Sequence, residues 1–415
     1  MKIVVAHPSK QHSFFTATAL KKSGDLDKYI TTVYDKSGAI TNTVKKFLGK
    51  QDKKKASTHR CEDLSDSDVI QYFEMDYLIS LFLNRFPQIA GFREKHRQYV
   101  ADKFGKKVAA YAIKNNVDAV IMYDSTATTC FEILKKKAPH IKCILDVSIA
   151  SRPFLKKEFE KDMAKTGDYS LKRDYPNFWN DVAMKTFYRE IELADFFFAP
   201  SNIVRESLEF CGAKAEQIFI IPYGVKLEAF PKRKYAPEGN TLKLIYVGQV
   251  THRKGIHHLL NVIDRFDSDS VSLRLVGTYS ESENFVQKAK DKKNIEFCGF
   301  KTHDELLGLY QEADAFIFPT LGEGYGLVVL EAMSAGIPVL SSDHAGGNDP
   351  IVDYYNGIVF KAGDERDLKE KIQWCIENKE QLKTMGENAN VTVQDFTWDT
   401  YYGRICKAVE QIVNG

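Results

Sequence analysis

The feature that most restricts this chain is a pattern that occurs twice: short runs rich in Val, Ile, Leu and Phe, separated by longer stretches with helical periodicity. A strand buried on both faces shows no polar side, so it reads as a continuous apolar run, and the stretches between are the helices that cover it. Such a chain builds parallel sheets wound on both sides by helices. In the first half the runs predict strands over Lys2 to Ala6, Tyr29 to Tyr34, Val69 to Tyr72, Asp118 to Tyr123, Lys142 to Val147, Phe196 to Ala199 and Ile218 to Ile221. In the second they predict Leu242 to Val247, Ser272 to Val276, Ile295 to Phe297, Ala315 to Phe318, Pro338 to Leu340 and Gly357 to Phe360.

Two doubly wound sheets need two cores, and 415 residues are about right for two domains of ordinary size. Pro222 to Gly239 breaks both periodicities with Pro222, Gly224, Pro231, Pro237 and Gly239 just before a fresh strand, which marks a linker. The expected division is an N-terminal α/β domain over 1–222 and a C-terminal one over 240–395, facing across a cleft. The stretch 396–415 reads as a helix opening at Thr397 and Trp398, with Tyr401, Ile405, Val409 and Ile412 on one face. It is expected to pack back on the first domain.

Composition narrows the setting. The seven cysteines, Cys61, Cys130, Cys143, Cys211, Cys298, Cys375 and Cys406, are scattered, with no C-x-x-C and no His pair at zinc-ligand spacing. A reducing compartment is expected. No apolar run reaches the roughly 18 to 20 residues that cross a bilayer, and the N-terminus lacks a secretory pattern, so the expected place is the cytoplasm. The net charge of +2 divides unevenly: residues 1 to 60 carry 13 Lys and Arg against 4 Asp, or +9, leaving −7 for the rest. That flank suits an anionic membrane surface or a phosphorylated partner, or is an ordinary solvated one.

The chemistry concentrates in the second half. In Phe318-Pro-Thr-Leu-Gly-Glu-Gly-Tyr-Gly-Leu a strand ends, a loop carries Gly322, Gly324 and Gly326, and a helix starts near Leu327. Unpaired amides at that helix start can face an anion, which makes the loop a phosphate cradle. Leu327, Val328, Val329, Leu330 and Met333 make the helix apolar nearly all round, hence expected to be buried, yet Glu331 sits inside it. A carboxylate there needs donors, and ligand hydroxyls would serve. Glu323 is either a ligand contact or a favourable charge at the helix dipole. Upstream, Leu244-Ile-Tyr-Val-Gly-Gln-Val-Thr-His-Arg-Lys-Gly-Ile places Arg253 and Lys254 after a buried strand, where two cations can meet a diphosphate leaving group.

The order V-G-Q-x-x-x-R-K-G, then Phe297-Cys-Gly-Phe, then P-T-x-x-E-G-Y-G-x-x-x-x-E-A-M-x-x-G-I-P-V, then Gly346-Gly347 and Asn356-Gly357, resembles the retaining family 4 glycosyltransferases of GT-B fold, the glycosyl transferases group 1, of bacterial polysaccharide or glycolipid synthesis type. The resemblance covers residues 241 to 390. It implies that Lys254 binds the donor diphosphate, with Arg253 in place of an arginine usual where Gln249 stands. Glu323 would contact the donor sugar, and the amides of Gly324, Tyr325, Gly326 and Leu327 would hold sugar and phosphate. Glu331 would take ribose hydroxyls, and the turns at Gly248 and Gly277 and the loop at Phe300 would flank the base. A nucleoside-diphosphate sugar would be the substrate, with no metal or other cofactor.

The N-terminal half departs from that pattern. The usual glycine pair after the first strand is replaced by His7-Pro-Ser-Lys-Gln11-His12-Ser13, and the ends of the middle strands carry Tyr123 and Ser148, with Asp124, Asp146 and Arg152 nearby. His12, Asp124, Asp146, Ser148 and Arg152 are the candidates for the acceptor side, although a helix-capping His12 fits equally. Arg85, Phe86, Phe92, Arg93, Lys95, His96 and Arg97 suit either a membrane face or a plain amphipathic helix. Asp66-Ser-Asp68 and Asp267-Ser-Asp269 are expected to be turn and capping residues rather than metal ligands. The expected function is retaining transfer of a hexose-type sugar to a hydroxyl of a glycan or lipid-linked saccharide, at or near the inner face of the cell membrane, with no nucleic acid involved. Two alternatives are a UDP-sugar 2-epimerase of the same fold and a non-catalytic sugar-nucleotide-binding protein.

Overall fold

The computed structural model describes residues 1–9, 12–36, 60–83, 86, 90–233 and 239–415. These form two parallel sheets. The first is built from β1 (Ile3–Ala6), β2 (Leu26–Thr31), β3 (Val69–Gln71), β4 (Ala119–Tyr123), β5 (Lys142–Asp146), β6 (Phe196–Ala199) and β7 (Ile218–Ile220), in the order β3-β2-β1-β4-β5-β6-β7. The second holds β8 (Leu242–Val247), β9 (Val271–Val276), β10 (Ile295–Gly299), β11 (Ala315–Phe318), β12 (Val339–Ser342) and β13 (Gly357–Phe360), in the order β10-β9-β8-β11-β12-β13. Every residue of β1, β4 and β11 is buried, which is why these strands read as unbroken apolar runs.

Both orders reverse once, between β1 and β4 in the first sheet and between β8 and β11 in the second. At such a point successive crossovers run to opposite sides, leaving a crevice at the carboxyl ends of the strands. The loops after β1, β4, β8 and β11 carry most of the candidate residues.

Each predicted run has a counterpart strand, with one correction of register. The run Tyr29 to Tyr34 is displaced: β2 starts at Leu26 and ends at Thr31. The polar start is tolerated because Asp27 accepts the Tyr111 hydroxyl at 2.8 Å and Lys28 reaches the Ser67 carbonyl at 2.8 Å. Val33 and Tyr34 remain buried after the chain has left the sheet, with the Tyr34 hydroxyl on the carbonyls of Cys61 and Leu64. Apolarity outlasts the hydrogen-bonding register.

The helix Trp398–Asn414 is capped by Thr397, whose hydroxyl accepts the Thr400 amide, and it buries Tyr401, Ile405, Val409 and Ile412. It lies on the helix Ser13–Ser23: Tyr401 and Thr16 hydroxyls meet at 2.9 Å, and Trp398 stacks on Phe15 at 3.5 Å. Each buried apolar side chain of this size contributes about 1.5–3 kcal/mol against exposure. Gly224 is required beside it, because a Cβ there would overlap the Thr397–Trp398 backbone. Asp66–Asp68 forms a single 3₁₀ turn, with Asp68 accepting the Ser65 amide at 2.9 Å. Among the described residues no helix is long and apolar enough to cross a membrane. Lys10, Gln11, Lys45, Lys46, Lys50, Lys53, Lys54, Lys55, Arg85 and Pro237 lie outside the described residues.

Candidate active site

The glycine loop joins β11 to the helix Leu327–Ser334 and is wedged between the two sheets' halves of the molecule. Gly326 starts the helix at φ 80°, a left-handed conformation that favours glycine. At Gly324 a Cβ would overlap the Ser148 carbonyl oxygen after β5, and at Gly322 it would strike Leu155. Ser201 donates to the Gly324 carbonyl at 2.8 Å, so the loop's backbone is held by the first half. The helix is not buried all round: Leu327 is exposed, because its first turn borders the crevice while Val329, Leu330 and Met333 face the core.

Arg253 and Lys254 occupy a 3₁₀ turn, His252–Lys254, that follows β8 and leads into the helix Ile256–Ile263. Gly255 turns the corner at φ 68° with no room for a side chain against the Pro319 carbonyl, which brings the turn onto the glycine loop. Arg253 Nη1 donates to the Gly322 carbonyl at 2.8 Å and to Glu323 Oε2 at 3.2 Å. Lys254 Nζ pairs with the same Oε2, and its ammonium sits 4.9 Å from the Phe318 ring centroid. Burial pushes the Glu323 carboxyl up, but the charges of Lys254 and Arg253 outweigh it and hold the group below its usual range. Burial wins at Lys254, whose pKa falls below normal despite Glu323. Glu323 is therefore the counter-ion of the buried Lys254 and the partly buried Arg253, more than a charge near a helix start.

Glu331 lies one turn further along the same helix. Among the described residues its carboxylate has no hydrogen-bond donor, and burial pushes its pKa up to about 7. Gly248, at φ 150°, and Gly277, at φ 140°, press together where β8 and β9 end, since a Cβ on Gly277 would overlap the Gly248 carbonyl. Gly277 donates to the Gly299 carbonyl at 2.9 Å, which sets Phe300, 78% exposed, on the same rim. A pocket of about 230 Å³ opens there, lined by Gln249, Thr251, Thr278 and Tyr279.

Across the crevice, His12 Nε2 lies 3.0 Å from Asp146 Oδ1 and 3.1 Å from the Tyr223 hydroxyl. It stands at the N-cap of its helix but its side chain makes no capping bond. Tyr223 also meets Tyr325 of the glycine loop, ring centroids 5.2 Å apart, so His12 and the loop are one residue apart in space. Ser148 enters through its backbone, as the surface Gly324 rests on. Arg152 donates to the Ser125 hydroxyl at 2.6 Å and stands 3.9 Å from Asp124, whose pKa burial raises and Arg152 draws down. His12 and Asp146 are thus brought together with Asp124 close by, its amide 3.4 Å from the Asp146 carbonyl, while Arg152 lines a cavity of about 400 Å³ with His7, Arg93 and Arg97.

Three residues that shape this side lack a motif. Tyr223 follows Pro222 in what reads as linker. His7, with burial pushing its pKa down to about 4, packs its ring 5.1 Å from Tyr123. Glu190 accepts the amides of Ser125, Ala127 and Thr128, and burial pushes it up to about 7. Its signal was available: a carboxylate within the apolar face formed by Phe187 and Ile191.

Residues 229–392 match the family described as Glycosyl transferases group 1. Among curated proteins, an uncharacterized glycosyltransferase of Methanocaldococcus jannaschii is 31% identical over 171 residues, 40% of this chain and 48% of that protein. The chain spans about half the length of the curated relatives that head the comparison. Among solved structures, the lipopolysaccharide outer core galactosyltransferase WaaB superposes with a TM-score of 0.66 at 16% identity, over 99% of this chain and 100% of that one. Anabaena HepE in complex with UDP gives 0.62 at 15% identity, over 99% and 100%. Two Rossmann-like sheets facing across a crevice, in the GT-B arrangement, are the fold of this chain.

Proposed function

We propose that this chain is a glycosyltransferase of group 1 that moves a hexose from a nucleoside diphosphate to a hydroxyl acceptor with retention of anomeric configuration. The observation that carries the reading is Glu323 clasped by Arg253 and Lys254 under a glycine loop, opposite His12 and Asp146. Leaving-group departure puts negative charge on the diphosphate, and buried cations already in position stabilise it without reorganisation. Arg253 and Lys254 turn from Glu323 to the diphosphate, and Glu323 is released to accept from donor-sugar hydroxyls. Glu331, with no donor among the described residues, receives the ribose hydroxyls. The amides of Gly324 to Leu327 hold sugar and phosphate, and the rim at Gly248, Gly277 and Phe300 flanks the base. The acceptor hydroxyl enters on the same face as the leaving phosphate, which keeps the anomeric configuration, and the transfer uses no metal.

The acceptor is a glycan or a lipid-linked saccharide. Arg93, Arg97 and Arg152 line the first half's cavity with Glu94, which favours an anionic group. Met75, Ile79 and Phe82 on the helix Glu74–Leu83, and Phe92 and Tyr99 on the helix Ala90–Asn115, are exposed beside it. That face suits peripheral contact with an anionic membrane on its cytoplasmic side. Sedimentation with anionic liposomes at low salt should carry the protein down; protein wholly in the supernatant removes the membrane contact.

The test is a panel of UDP-, GDP- and ADP-sugars against glycan and lipid-linked acceptors without added metal, with the product's anomeric configuration read by NMR. One donor transferred with retention is expected. Inversion refutes the mechanism. Conversion of a UDP-sugar without acceptor means the 2-epimerase, and binding with neither transfer nor hydrolysis means a non-catalytic protein.

A further inference from the structure

Where the helix Arg152–Thr166 meets the helix Ile256–Ile263, Asp162, His257 and His258 converge from opposite halves of the molecule, each more than nine-tenths buried. His258 Nε2 lies 2.6 Å from Asp162 Oδ1, and His257 Nε2 lies 3.5 Å from Asp162 Oδ2. One ligand atom from each of the three falls within 4.8 Å of the others. Behind them, Glu365 Oε1 stands 3.1 Å from His258 Nδ1 and is itself held by Asn261 at 2.9 Å. Among the described residues His257 Nδ1 has no hydrogen-bond partner, and Nε2 has only the loose 3.5 Å contact with Asp162. A buried polar atom left so is costly, and buried rings of this kind are normally satisfied.

We propose that Asp162, His257 and His258 form a Zn²⁺ site that fastens the two halves of the molecule together, with Glu365 orienting His258 from behind. Two imidazole nitrogens and a carboxylate oxygen are a zinc donor set, leaving a fourth position for water. Ligands bound at about 2.0–2.1 Å in a tetrahedron lie ~3.3 Å apart. His257 Nε2 stands 3.5 Å from Oδ2 and His258 Nε2 is on Oδ1, so ligation through one oxygen requires the Asp162 carboxylate to turn between the two rings. His258 lies between two carboxylates, Asp162 at Nε2 and Glu365 at Nδ1, which draw its pKa above the usual range against burial. Zn²⁺ takes the place of the Nε2 proton, which leaves to solvent, while Nδ1–H stays on Glu365; such an outer carboxylate fixes the ring and raises its basicity. Sequence spacing hides the site, because the histidines are adjacent and Asp162 precedes His258 by 96 residues on the other half. A neighbouring group, Asp174, His252 and Glu283, includes an exposed Asp174 and serves as the control. The proposal does not depend on the transferase reading.

The full-length protein, stripped with chelator and dialysed, is titrated with ZnCl₂ by calorimetry and with CoCl₂ by visible absorption. One equivalent should bind, with the intense bands of four-coordinate Co²⁺ and a higher thermal midpoint. Glu365→Gln should weaken binding by about 10- to 100-fold, and His257→Ala and Asp162→Asn should weaken it at least as much, while His252→Asn binds as the wild type does. Circular dichroism checks that each variant folds; the wild-type stoichiometry and Co²⁺ spectrum decide if His257→Ala does not. The site is refuted by absent stoichiometric binding, by the weak spectrum of six-coordinate Co²⁺, or by binding that survives His257→Ala or is lost in His252→Asn.

Discussion

Glu323→Gln should tighten the binding of the nucleoside diphosphate while abolishing most of the transfer. Both cations contact one Glu323 oxygen, which offsets one of their two charges, so a diphosphate must compete with that carboxylate for Arg253 and Lys254. Two charge-assisted contacts of about 2.8 Å each, with a cation between, put carboxylate and phosphate about 5.6 Å apart. At an effective dielectric constant of about 20, the repulsion between two unit charges at that distance is about 3 kcal/mol, an upper bound for a site that stays partly solvated. Removing the charge should therefore tighten UDP or GDP binding by between about 10-fold and 100-fold, or about 1.4–2.8 kcal/mol. The sugar loses its acceptor and transfer should fall by about 10²-fold or more. Calorimetry gives the first quantity and steady-state transfer the second. Unchanged or weaker diphosphate binding in Glu323→Gln, or transfer within threefold of wild type, would refute the competition between carboxylate and phosphate.

Gly324→Ala should lower the melting temperature and cut transfer by about 10²-fold, because its Cβ overlaps the Ser148 carbonyl and lies 2.7 Å from Ile149 Cα, which pushes the loop off its seat; an unshifted melting curve with kcat/KM intact contradicts this. Glu331 has a folded-state pKa of about 7, above its ordinary value, so its contribution to stability is present below about pH 4.5 and lost as pH rises through 7. Glu331→Gln should accordingly melt higher than wild type at pH 8, with the difference closing at pH 4, while its nucleotide affinity falls; thermal melts across pH read the first and calorimetry the second. Asp146→Asn, which removes the partner of His12, should lower transfer without changing nucleoside diphosphate affinity.

Much of this molecule was legible before any coordinates, for a physical reason. Parallel strands are buried on both faces, so burial writes itself into the sequence as apolar runs, and glycines stand where backbones touch: Gly255 on Pro319, Gly277 on Gly248 and Gly324 on Ser148. The second half was therefore readable to within two residues at every strand, including the start of the helix at Leu327. What stayed hidden depends on contacts between distant segments. Nothing in the order of residues joins His12 to Asp146 and Tyr223, and although Glu190 stands out within an apolar face, its position does not name the three amides of the loop after β4 that it satisfies. The shift of β2 has the same origin, since Tyr34 is buried by side-chain packing without being hydrogen-bonded into the sheet.

The most direct test of the donor site is calorimetric titration of UDP, GDP and ADP, without added metal, into the wild type and Lys254→Ala. A ligand that binds only the native protein must also raise its melting temperature, which gives an independent reading of the same event. One nucleotide bound by the wild type and lost, or at least ~30-fold weaker, in the variant is the expected result for a cation that holds the diphosphate. Equal affinity in both proteins, or no binding of any of the three by the wild type, would contradict a donor site built on Lys254.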